Sequence, residues 1–249
     1  MTRAVAPCPV CRKRLVLRGD GRMRLHRVDR RRRCAGSGKE LPTATDAGRV
    51  VGDVVALAQL VLRFGRVDRV TFHEDGRTPE SDTDHTVMLG VVACAFAERF
   101  APHLDLGLIA QLALVHDLVE AKCGDTNTLG ITPEGRAAKA TREREALEEI
   151  RREFDALPWL ARTIERYEAL SDPEARFVKV LDKVLPKLTH ALNGGATLRA
   201  HGVDLAGLRE VNGSQREAIA HTYGADQEAA VALLFAAHEE LVRRLSEEP

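Results

Sequence analysis

Beyond residue 48, apolar residues recur at spacings of three and four, which is the period of an amphipathic helix. This pattern predicts eight helices, at 49–64, 83–100, 106–122, 134–155, 158–170, 174–193, 204–221 and 225–246. Ser81 or Asp82 is placed to cap the second of them, and the spacing of Ser81 and Asp84 fits a capping box. Gly124 stands where a C-terminal cap is expected. No convincing alternation of apolar and polar residues indicates a strand in this part of the chain.

The first forty residues follow a different pattern. Apolar positions alternate in "RLVL", a turn follows at "GDG", and the alternation returns in "MRLH". Two alternating runs about a glycine-rich turn are typical of a β-hairpin. The segment "LPTATDAG" at 41–48 is typical of a linker. We therefore expect a hairpin module at 1–40, a linker at 41–48 and an all-α helical bundle at 49–249.

Three of the five cysteines lie in the module at 1–40. Cys8 and Cys11 form a Cys-x2-Cys pair, which places two thiolates on one tight turn suited to tetrahedral Zn²⁺. Cys34 and His26 are the candidates for the other two ligands. A segment this short has little core of its own, so a structural zinc ion would supply its stability. The module resembles small zinc-ribbon modules that end in "C-x-GSG"; the alternative is a disordered basic tail with incidental cysteines.

Charge is distributed unevenly along the chain, although the total is zero. The first forty residues carry 13 Lys and Arg against 3 Asp and Glu, and the remainder carries 24 against 34. A basic head on an acidic body indicates a two-part chain. The run "RVDRRRRC" has the charge to contact the phosphates of nucleic acid. Because no aromatic residues interleave with it, we favour a solvated surface loop over a nucleic-acid site.

A balance of 44% hydrophobic and 30% charged residues is that of a soluble globular protein. No apolar run approaches the ~18 residues of a membrane span, and the N-terminus lacks the apolar region of a signal peptide. The sequence therefore predicts a cytoplasmic protein with no membrane partner. A disulfide framework is not expected in that compartment.

Polar residues of the kind that bind metals interrupt the apolar faces of three predicted helices. His85 aligns with apolar residues of "MLGVVACAF", His116 and Asp117 interrupt "LALVHDLVEA", and Asp182 shares a face with apolar residues of "RFVKVLDKVLPKL". The three lysines of that last segment are expected to face elsewhere. Each residue alone has an ordinary explanation, such as a hydrogen-bonded histidine or a paired aspartate. Together, two imidazoles and two carboxylates suit one divalent cation, which would remove the cost of burying unpaired carboxylates.

Glu120 lies four residues after His116 and therefore on the same face of the predicted helix. From there its carboxylate is placed to act on a water near the ion without binding the ion itself. The alternative is a surface carboxylate near the end of a helix.

These residues resemble the H…HD…D signature of HD-domain metal-dependent phosphohydrolases, which are all-helical bundles around one or two metals. The likeness extends to the 5′-deoxyribonucleotidase branch over roughly residues 51–195. Here "HDLVEAKCGDT" resembles that branch's "HD-x-x-E-x-x-x-GD", "PESDTDH" resembles "ESVAEH", and "DPEARFVKVLDKVLPKL" resembles "TPEA-x-x-VK-x-x-DKLE". The segment "LRFGRVDRV" is similar, less closely, to the branch's "NRW…R" entry helix.

The resemblance implies a catalytic role for each matching residue of the cluster. His85, His116, Asp117 and Asp182 would bind the catalytic metal, which would be Mn, Co, Mg or Fe. Glu120 would orient the attacking water or move its proton.

The resemblance also implies a set of substrate-binding residues. Arg63 would bind the phosphate bidentately, with Arg66 and Arg69 as competing candidates. Phe64 replaces the Trp that packs against the sugar in this branch, so the choice between ribose and deoxyribose stays open. Asp125 would contact the sugar hydroxyl or the phosphate region, and it joins the catalytic candidates.

The expected activity is removal of phosphate from nucleotides, with (deoxy)nucleoside 5′-monophosphates first, by attack of a metal-activated water. A dNTP triphosphohydrolase or pyrophosphohydrolase of the same superfamily is the nearest alternative, because the same ligand set serves both. A nucleic-acid-binding adaptor that works through the basic head is the alternative from another class. The resemblance further implies a homodimer.

Overall fold

The structure is a computed structural model that describes residues 5–29, 32–39, 47–128, 131–223 and 227–247. The chain divides into two compact units, Met1–Val55 and Ala56–Pro249. Within the described ranges, helices predominate and the strands form two short antiparallel pairs. The predicted class, an all-α bundle with a small N-terminal hairpin module, is confirmed.

The N-terminal unit contains an antiparallel pair, β1 at Val5–Pro7 and β2 at Arg14–Val16. An isolated bridge between Leu17 and Met23 spans the predicted glycine turn. The hairpin expected here is therefore present, with β1 as an additional strand beside it. The predicted linker at 41–48 lies outside the described residues up to residue 46.

Helices account for most of the remaining described chain. They are α1 (Ala47–Phe64), α2 (Asp82–Phe100), α3 (Leu106–Val115), α4 (Glu120–Cys123), α5 (Pro133–Glu153), α6 (Trp159–Glu168), α7 (Pro173–Leu192), α8 (Ala196–Ala200), α9 (Leu205–Tyr223) and α10 (Glu228–Glu247). As far as the described residues go, no helix combines the length and the apolar character needed to cross a membrane.

The main core lies where α2, α3, α7 and α10 pack together. Leu89, Ile109, Leu181 and Leu234 come from these four helices in turn, and each is at most 1% exposed. Complete burial of a side chain of this size contributes about 1.5–3 kcal/mol. A second core joins the end of α1 to α5 and α6. Helix α7 packs against α2, α3, α6 and α10, so its position is fixed from several sides.

A β-hairpin that the sequence pattern did not predict precedes α2. It consists of β3 at Asp68–Phe72 and β4 at Pro79–Ser81. The amide of Phe72 donates to Thr197 Oγ1 at 2.9 Å, and Asn193 Nδ2 donates to the carbonyl of Phe72 at 2.9 Å. These partners lie 125 and 121 residues away along the chain. Because the hairpin is stabilised by such distant groups, alternation within the segment does not reveal it.

The predicted helix caps are confirmed. Ser81 Oγ accepts a hydrogen bond from the amide of Asp84 at 3.2 Å, and the Asp84 carboxylate accepts one from the amide of Ser81 at 3.1 Å. Gly124 ends α4 with a φ of 74°, a conformation that favours glycine. The capping box fixes the start of α2 one turn before His85.

Candidate active site

The helix predicted at 106–122 is interrupted at His116 and Asp117. Helix α3 ends at Val115, and α4 begins at Glu120. Between them amides donate to carbonyls three residues back, as the amide of Glu120 does to Asp117 at 2.8 Å. This tighter pattern has three residues per turn and often marks a functional position in a helix. At this turn the adjacent side chains of His116 and Asp117 contact each other, with Nε2 and Oδ2 3.0 Å apart.

Four side chains from three segments converge on a common point. Nε2 of His85 on α2 lies 3.0 Å from Oδ1 of Asp182 on α7. Nε2 of His116 lies 3.8 Å from the same oxygen of Asp182, and Asp117 completes the group. One ligand atom from each of the four residues lies within 4.8 Å of all the others. The structure therefore brings together the residues expected to bind a metal.

One histidine of this cluster, His116, is oriented as metal-binding histidines are. Nδ1 of His116 lies 2.8 Å from the carbonyl oxygen of Ala113. Since a carbonyl only accepts, the proton is on Nδ1, and Nε2 keeps its lone pair. That Nε2 atom is buried and has no hydrogen-bond partner among the described residues. Nδ1 of His85 lies 3.7 Å from Oε2 of Glu80, which is beyond hydrogen-bond distance. These donors and acceptors fit a divalent cation.

Both aspartates of the cluster are ionised. Burial raises the pKa of Asp117, but the contact with His116 and the charge of Arg69 outweigh burial and hold this pKa well below its usual range. Burial opposes ionisation of Asp182 as well, yet the hydrogen bond with His85 outweighs burial and keeps its pKa low. The cluster thus presents two negative charges to a cation.

Arg69 of β3, one of the three competing arginines, lies against the cluster. Its Nη1 atom is 3.1 Å from Oδ1 of Asp82 and 3.1 Å from Oδ2 of Asp117, and its Nε atom is 3.6 Å from Oε2 of Glu80. Burial lowers the pKa of Arg69, but the surrounding carboxylates, Asp117 first, outweigh burial and raise it. Glu80 and Asp82 were not among the predicted site residues. The segment "PESDTDH", which contains both residues and resembles a motif of the family branch, could have identified them.

Glu120, the candidate proton carrier, opens α4 and is 2% exposed. Its Oε1 atom accepts a hydrogen bond from Nζ of Lys139 on α5 at 2.9 Å. Its Oε2 atom is buried without a hydrogen-bond partner in the described part of the chain. Burial raises the pKa of Glu120, the charge of Asp117 raises it further, and Lys139 opposes both. Lys139 was missed because its helix is an ordinary, strongly charged surface helix by sequence.

The other residues proposed for the substrate occupy different environments. Arg63 has a half-exposed side chain that lies 3.8 Å from a glutamate of α5, and Arg66 is exposed. Phe64 is 3% exposed and packs in the second core. Asp125 is partly buried, and its charge contributes to the raised pKa of Arg69. Of the candidates for substrate contact, Arg69 thus contacts the cluster through Asp117, and the charge of Asp125 acts on Arg69.

A second cluster lies in the N-terminal unit. The Sγ atoms of Cys8, Cys11 and Cys34 and a ring nitrogen of His26 lie within 4.8 Å of one another. Cys11 Sγ is 3.2 Å from His26 Nε2, and Cys8 Sγ is 3.7 Å from Cys34 Sγ. Nδ1 of His26 lies 2.9 Å from the carbonyl oxygen of Arg24, so it carries the proton and leaves Nε2 to a metal.

Backbone amides donate hydrogen bonds to two sulfur atoms of this second cluster and favour the thiolate of Cys8, whereas burial raises the pKa of Cys34. The amide of Val10 donates to Cys8 Sγ at 3.4 Å, and the amide of Gly36 donates to Cys34 Sγ at 3.4 Å. Burial raises the pKa of Cys8, but the amides of Cys11 and Val10 outweigh burial and lower this pKa to about 6. A Cβ atom at Gly36 would lie 2.5 Å from Cys8 Sγ, so this close approach requires glycine.

Comparison with known proteins gives one family and several named relatives. The model of a family described as HD domain matches residues 62–223. The 5′-deoxynucleotidase HDDC2 of Bos taurus is 33% identical over 145 residues, which cover 57% of this chain and 68% of that protein. HDDC2 of Homo sapiens is 31% identical over 144 residues, with shares of 57% and 68%. The 5′-deoxynucleotidase hdd1 of Schizosaccharomyces pombe is 31% identical over 114 residues, with shares of 42% and 54%.

Two solved structures share the fold. A protein described as a predicted metal-dependent phosphohydrolase, from Magnetospirillum magnetotacticum MS-1, superimposes with a TM-score of 0.63 at 24% identity, over 80% of this chain and 98% of that one. The PH0347 protein of Pyrococcus horikoshii OT3 superimposes with a TM-score of 0.53 at 19% identity, over 75% and 99% of the two chains. At these identities the likeness is one of fold alone.

Proposed function

The chain belongs to the HD domain family, and from that premise we propose that it is a metal-dependent phosphohydrolase of nucleotides. We infer nucleoside or deoxynucleoside 5′-monophosphates as substrates, because relatives at 31% and 33% identity are named 5′-deoxynucleotidases. The observation that carries the proposal is the convergence of His85, His116, Asp117 and Asp182, with ligand atoms within 4.8 Å of one another.

These four residues would hold one divalent ion through two imidazole nitrogens and two carboxylates. Such an ion lowers the pKa of a coordinated water and polarises a phosphoryl oxygen. The mixed nitrogen and oxygen donors are compatible with Mn, Co, Fe or Mg. The buried Nε2 atom of His116, which has no hydrogen-bond partner among the described residues, supports this use of the cluster.

Other residues near the cluster would bind the substrate and accept the proton of the attacking water. Arg69 is our choice for the phosphate, because its guanidinium lies 3.1 Å from Asp117 and a guanidinium binds phosphate bidentately. The exposed position of Arg63 makes it the second choice. Asp125 would bind the sugar hydroxyl or the phosphate region. Glu120 would orient the attacking water or accept its proton at Oε2, the oxygen that Lys139 leaves free.

A panel of substrates and metals tests this function. Nucleoside mono-, di- and triphosphates are incubated with Mn²⁺, Co²⁺, Mg²⁺ or Fe²⁺, and the released phosphate, pyrophosphate or triphosphate is measured. We expect phosphate from 5′-monophosphates and a loss in kcat of about 100-fold or more for His116→Ala. His103→Ala, at an exposed position, is the matched control and should retain activity.

The same panel separates the alternatives. Release of triphosphate or pyrophosphate from dNTPs, with inert monophosphates, would favour the other activity of the superfamily. Absence of turnover with every nucleotide, together with nucleic-acid binding that depends on residues 1–40, would favour the adaptor. We also expect Asp182→Ala to lower the metal content of the body, measured by mass spectrometry of the metals. An unchanged content would remove Asp182 from the ligand set.

We further propose that Cys8, Cys11, His26 and Cys34 bind one structural zinc ion. Three thiolates and one imidazole make a closed tetrahedral set. The support is the 4.8 Å spread of the four ligand atoms and the amide hydrogen bonds to sulfur. The ion would stabilise a unit whose core is small.

We propose a homodimer in solution, as the family resemblance implies. Large apolar side chains exposed on α1 and α2 support it, because such exposure is typical of contact surfaces. Val61, Leu62, Val87 and Val91 are between 46% and 65% exposed. Size-exclusion chromatography with light scattering gives the mass directly, and a monomer at micromolar concentration would contradict this state.

A further inference from the structure

A lysine outside the metal cluster is bonded to the candidate proton carrier. Nζ of Lys139 lies 2.9 Å from Oε1 of Glu120, and it also lies 3.2 Å from Oε1 of Glu143 one turn further along α5. The side chain of Lys139 is 23% exposed, whereas that of Glu120 is 1% exposed. This pair therefore extends from the surface of α5 into the interior beside the cluster.

The carboxylate of Glu120 needs such a partner. A buried carboxylate without a partner costs several kcal/mol, and removal of one member of a buried ion pair leaves that cost uncompensated. Helix α4, on which Glu120 lies, has only four residues. A helix this short does not hold its own conformation, because nucleation costs more than so few hydrogen bonds return. Its position depends on neighbours, and α5 is the helix it contacts most.

The bond from Lys139 distinguishes the two oxygens of Glu120. Oε1 is occupied by the ammonium group, at 2.9 Å. Oε2 is buried and has no hydrogen-bond partner within the described residues. A lysine ammonium group donates hydrogen bonds and cannot accept one. Lys139 can therefore fix the side chain of Glu120 through Oε1 and leave Oε2 as the oxygen that takes a proton.

We propose that Lys139 is a positioning residue for the phosphohydrolase reaction, acting through Glu120. It holds the Glu120 carboxylate in one orientation, so that Oε2 stays directed to the position where the proton of the attacking water is taken up. This inference rests on the proposed function. It adds a residue of α5 to a reaction whose other groups come from β3, α2, α7, α4 and the segments on either side of α4.

A second ion pair between α4 and α5 provides the matched control. Lys122 of α4 bonds Glu153 of α5 and has 19% of its side chain exposed. Lys122→Met and Lys139→Met remove the same chemical group from the same helix pair. They differ in whether the lost partner is Glu120, so their comparison separates positioning of Glu120 from general docking of α5.

The experiment combines kinetics with a double-mutant cycle between Lys139→Met and Glu120→Gln. We expect Lys139→Met to lower kcat on a 5′-monophosphate by about tenfold or more, with KM and metal content within about twofold of wild type. Lys139→Arg should restore most of kcat, and Lys122→Met should keep it. In the Glu120→Gln background, Lys139→Met should cause little further loss. The urea midpoint should fall more for Lys139→Met alone than for the same change in that background.

The outcomes that would overturn this role are distinct from failure of the proposed function. Equal kinetic losses for Lys139→Met and Lys122→Met would reduce Lys139 to a docking contact. A loss that is independent of Glu120, in kcat and in urea midpoint, would also overturn it. A fall in metal content would point to the ion instead. A wild-type protein that turns over no nucleotide would overturn the proposed function, and with it this role, whatever the unfolding cycle shows.

Discussion

Lys187 on α7 is a basic residue buried in the body, with 8% of its surface exposed. Burial, followed by the charge of Lys183, lowers the pKa of Lys187 from 10.5 to about 8. Between these two values the unfolded chain keeps a proton that the folded chain has lost, so the free energy of unfolding rises with pH in that window. Below about pH 8 both states are protonated, and the folded state carries the full cost of the buried charge.

Replacement of Lys187 by Met should therefore stabilise the protein at neutral pH, by about 1–3 kcal/mol in the free energy of unfolding. The gain should shrink as the pH rises above about 8, because the wild type then loses the unfavourable charge. Urea unfolding of both proteins at neutral pH and near pH 10 measures the difference. A variant less stable than wild type at neutral pH would contradict this account.

Single residues of the candidate site could be predicted where a polar residue interrupts the apolar pattern of a helix. A polar side chain on an apolar face, such as His85 or Asp182, is visible from periodicity. The burial of Lys187 was not visible, because the sequence predicts only that the lysines of α7 face away from Asp182. Its neighbourhood includes His238 of α10, whose pKa the charge of Lys187 lowers. Such a contact depends on which distant helix packs there, and periodicity within α7 does not encode that choice.

Among the secondary-structure elements, α2 is the one whose start bears most directly on the site. Its capping box satisfies amides that the helix leaves unpaired, and His85 follows within the first turn. The hydrogen bonds of Ser81 and Asp84 therefore support a candidate metal ligand through the backbone.

Replacement of Ser81 by Ala should lower the free energy of unfolding by about 1 kcal/mol, because one half of the capping box is lost. It should also raise the metal concentration needed for half-maximal activity, since the first turn of α2 becomes less well held. Urea unfolding and metal titration are the measurements. Thr141→Ala, which removes a hydroxyl bonded within exposed α5, should have little effect on either. Equal effects of the two changes would contradict a special role for the cap.

Seven of the eight predicted helices match described helices to within a few residues, because apolar periodicity and capping residues are local signals. The short α8 and the break in the predicted helix 106–122 were not predicted, since the apolar residues continue through the break while the amides of Leu118 and Glu120 bond three residues back. The hairpin of β3 and β4 was missed for a similar reason, as its edge is bonded to Asn193 and Thr197. The element that carries Arg69 therefore had no local signal, and Arg63 was preferred on motif spacing alone.

At the scale of the whole molecule, the sequence predicts two parts from charge and cysteine usage, and the structure has two compact units. The HD domain match begins at residue 62, well after the cysteine cluster. The candidate catalytic cluster uses His85, His116, Asp117 and Asp182, all of which belong to the second unit. The domain bounds of 1–40 and 49–249 stay a prediction, because the two units divide between Val55 and Ala56, within α1.

Deletion of residues 1–40 should leave phosphohydrolase activity largely intact and remove one zinc ion per chain. The reason is that no candidate catalytic residue lies in the deleted segment, whereas all four proposed zinc ligands do. Phosphate release and zinc content are measured on the full chain and on the truncated one, with circular dichroism to verify folding. A folded truncation without any activity would contradict the two-part organisation.

The hairpin that carries Arg69 is hydrogen-bonded to Asn193, at the end of α7, and to Thr197 of α8. Helix α7 also carries Asp182, so the position of the guanidinium and that of one proposed ion-binding carboxylate depend on the same helix. Under the role proposed for Arg69, a natural variant with a smaller residue at position 193 would bind phosphate less tightly while the four proposed ion-binding side chains remained in place. Genome surveys that infer phosphohydrolase activity from those four side chains alone would therefore count inactive variants as active enzymes.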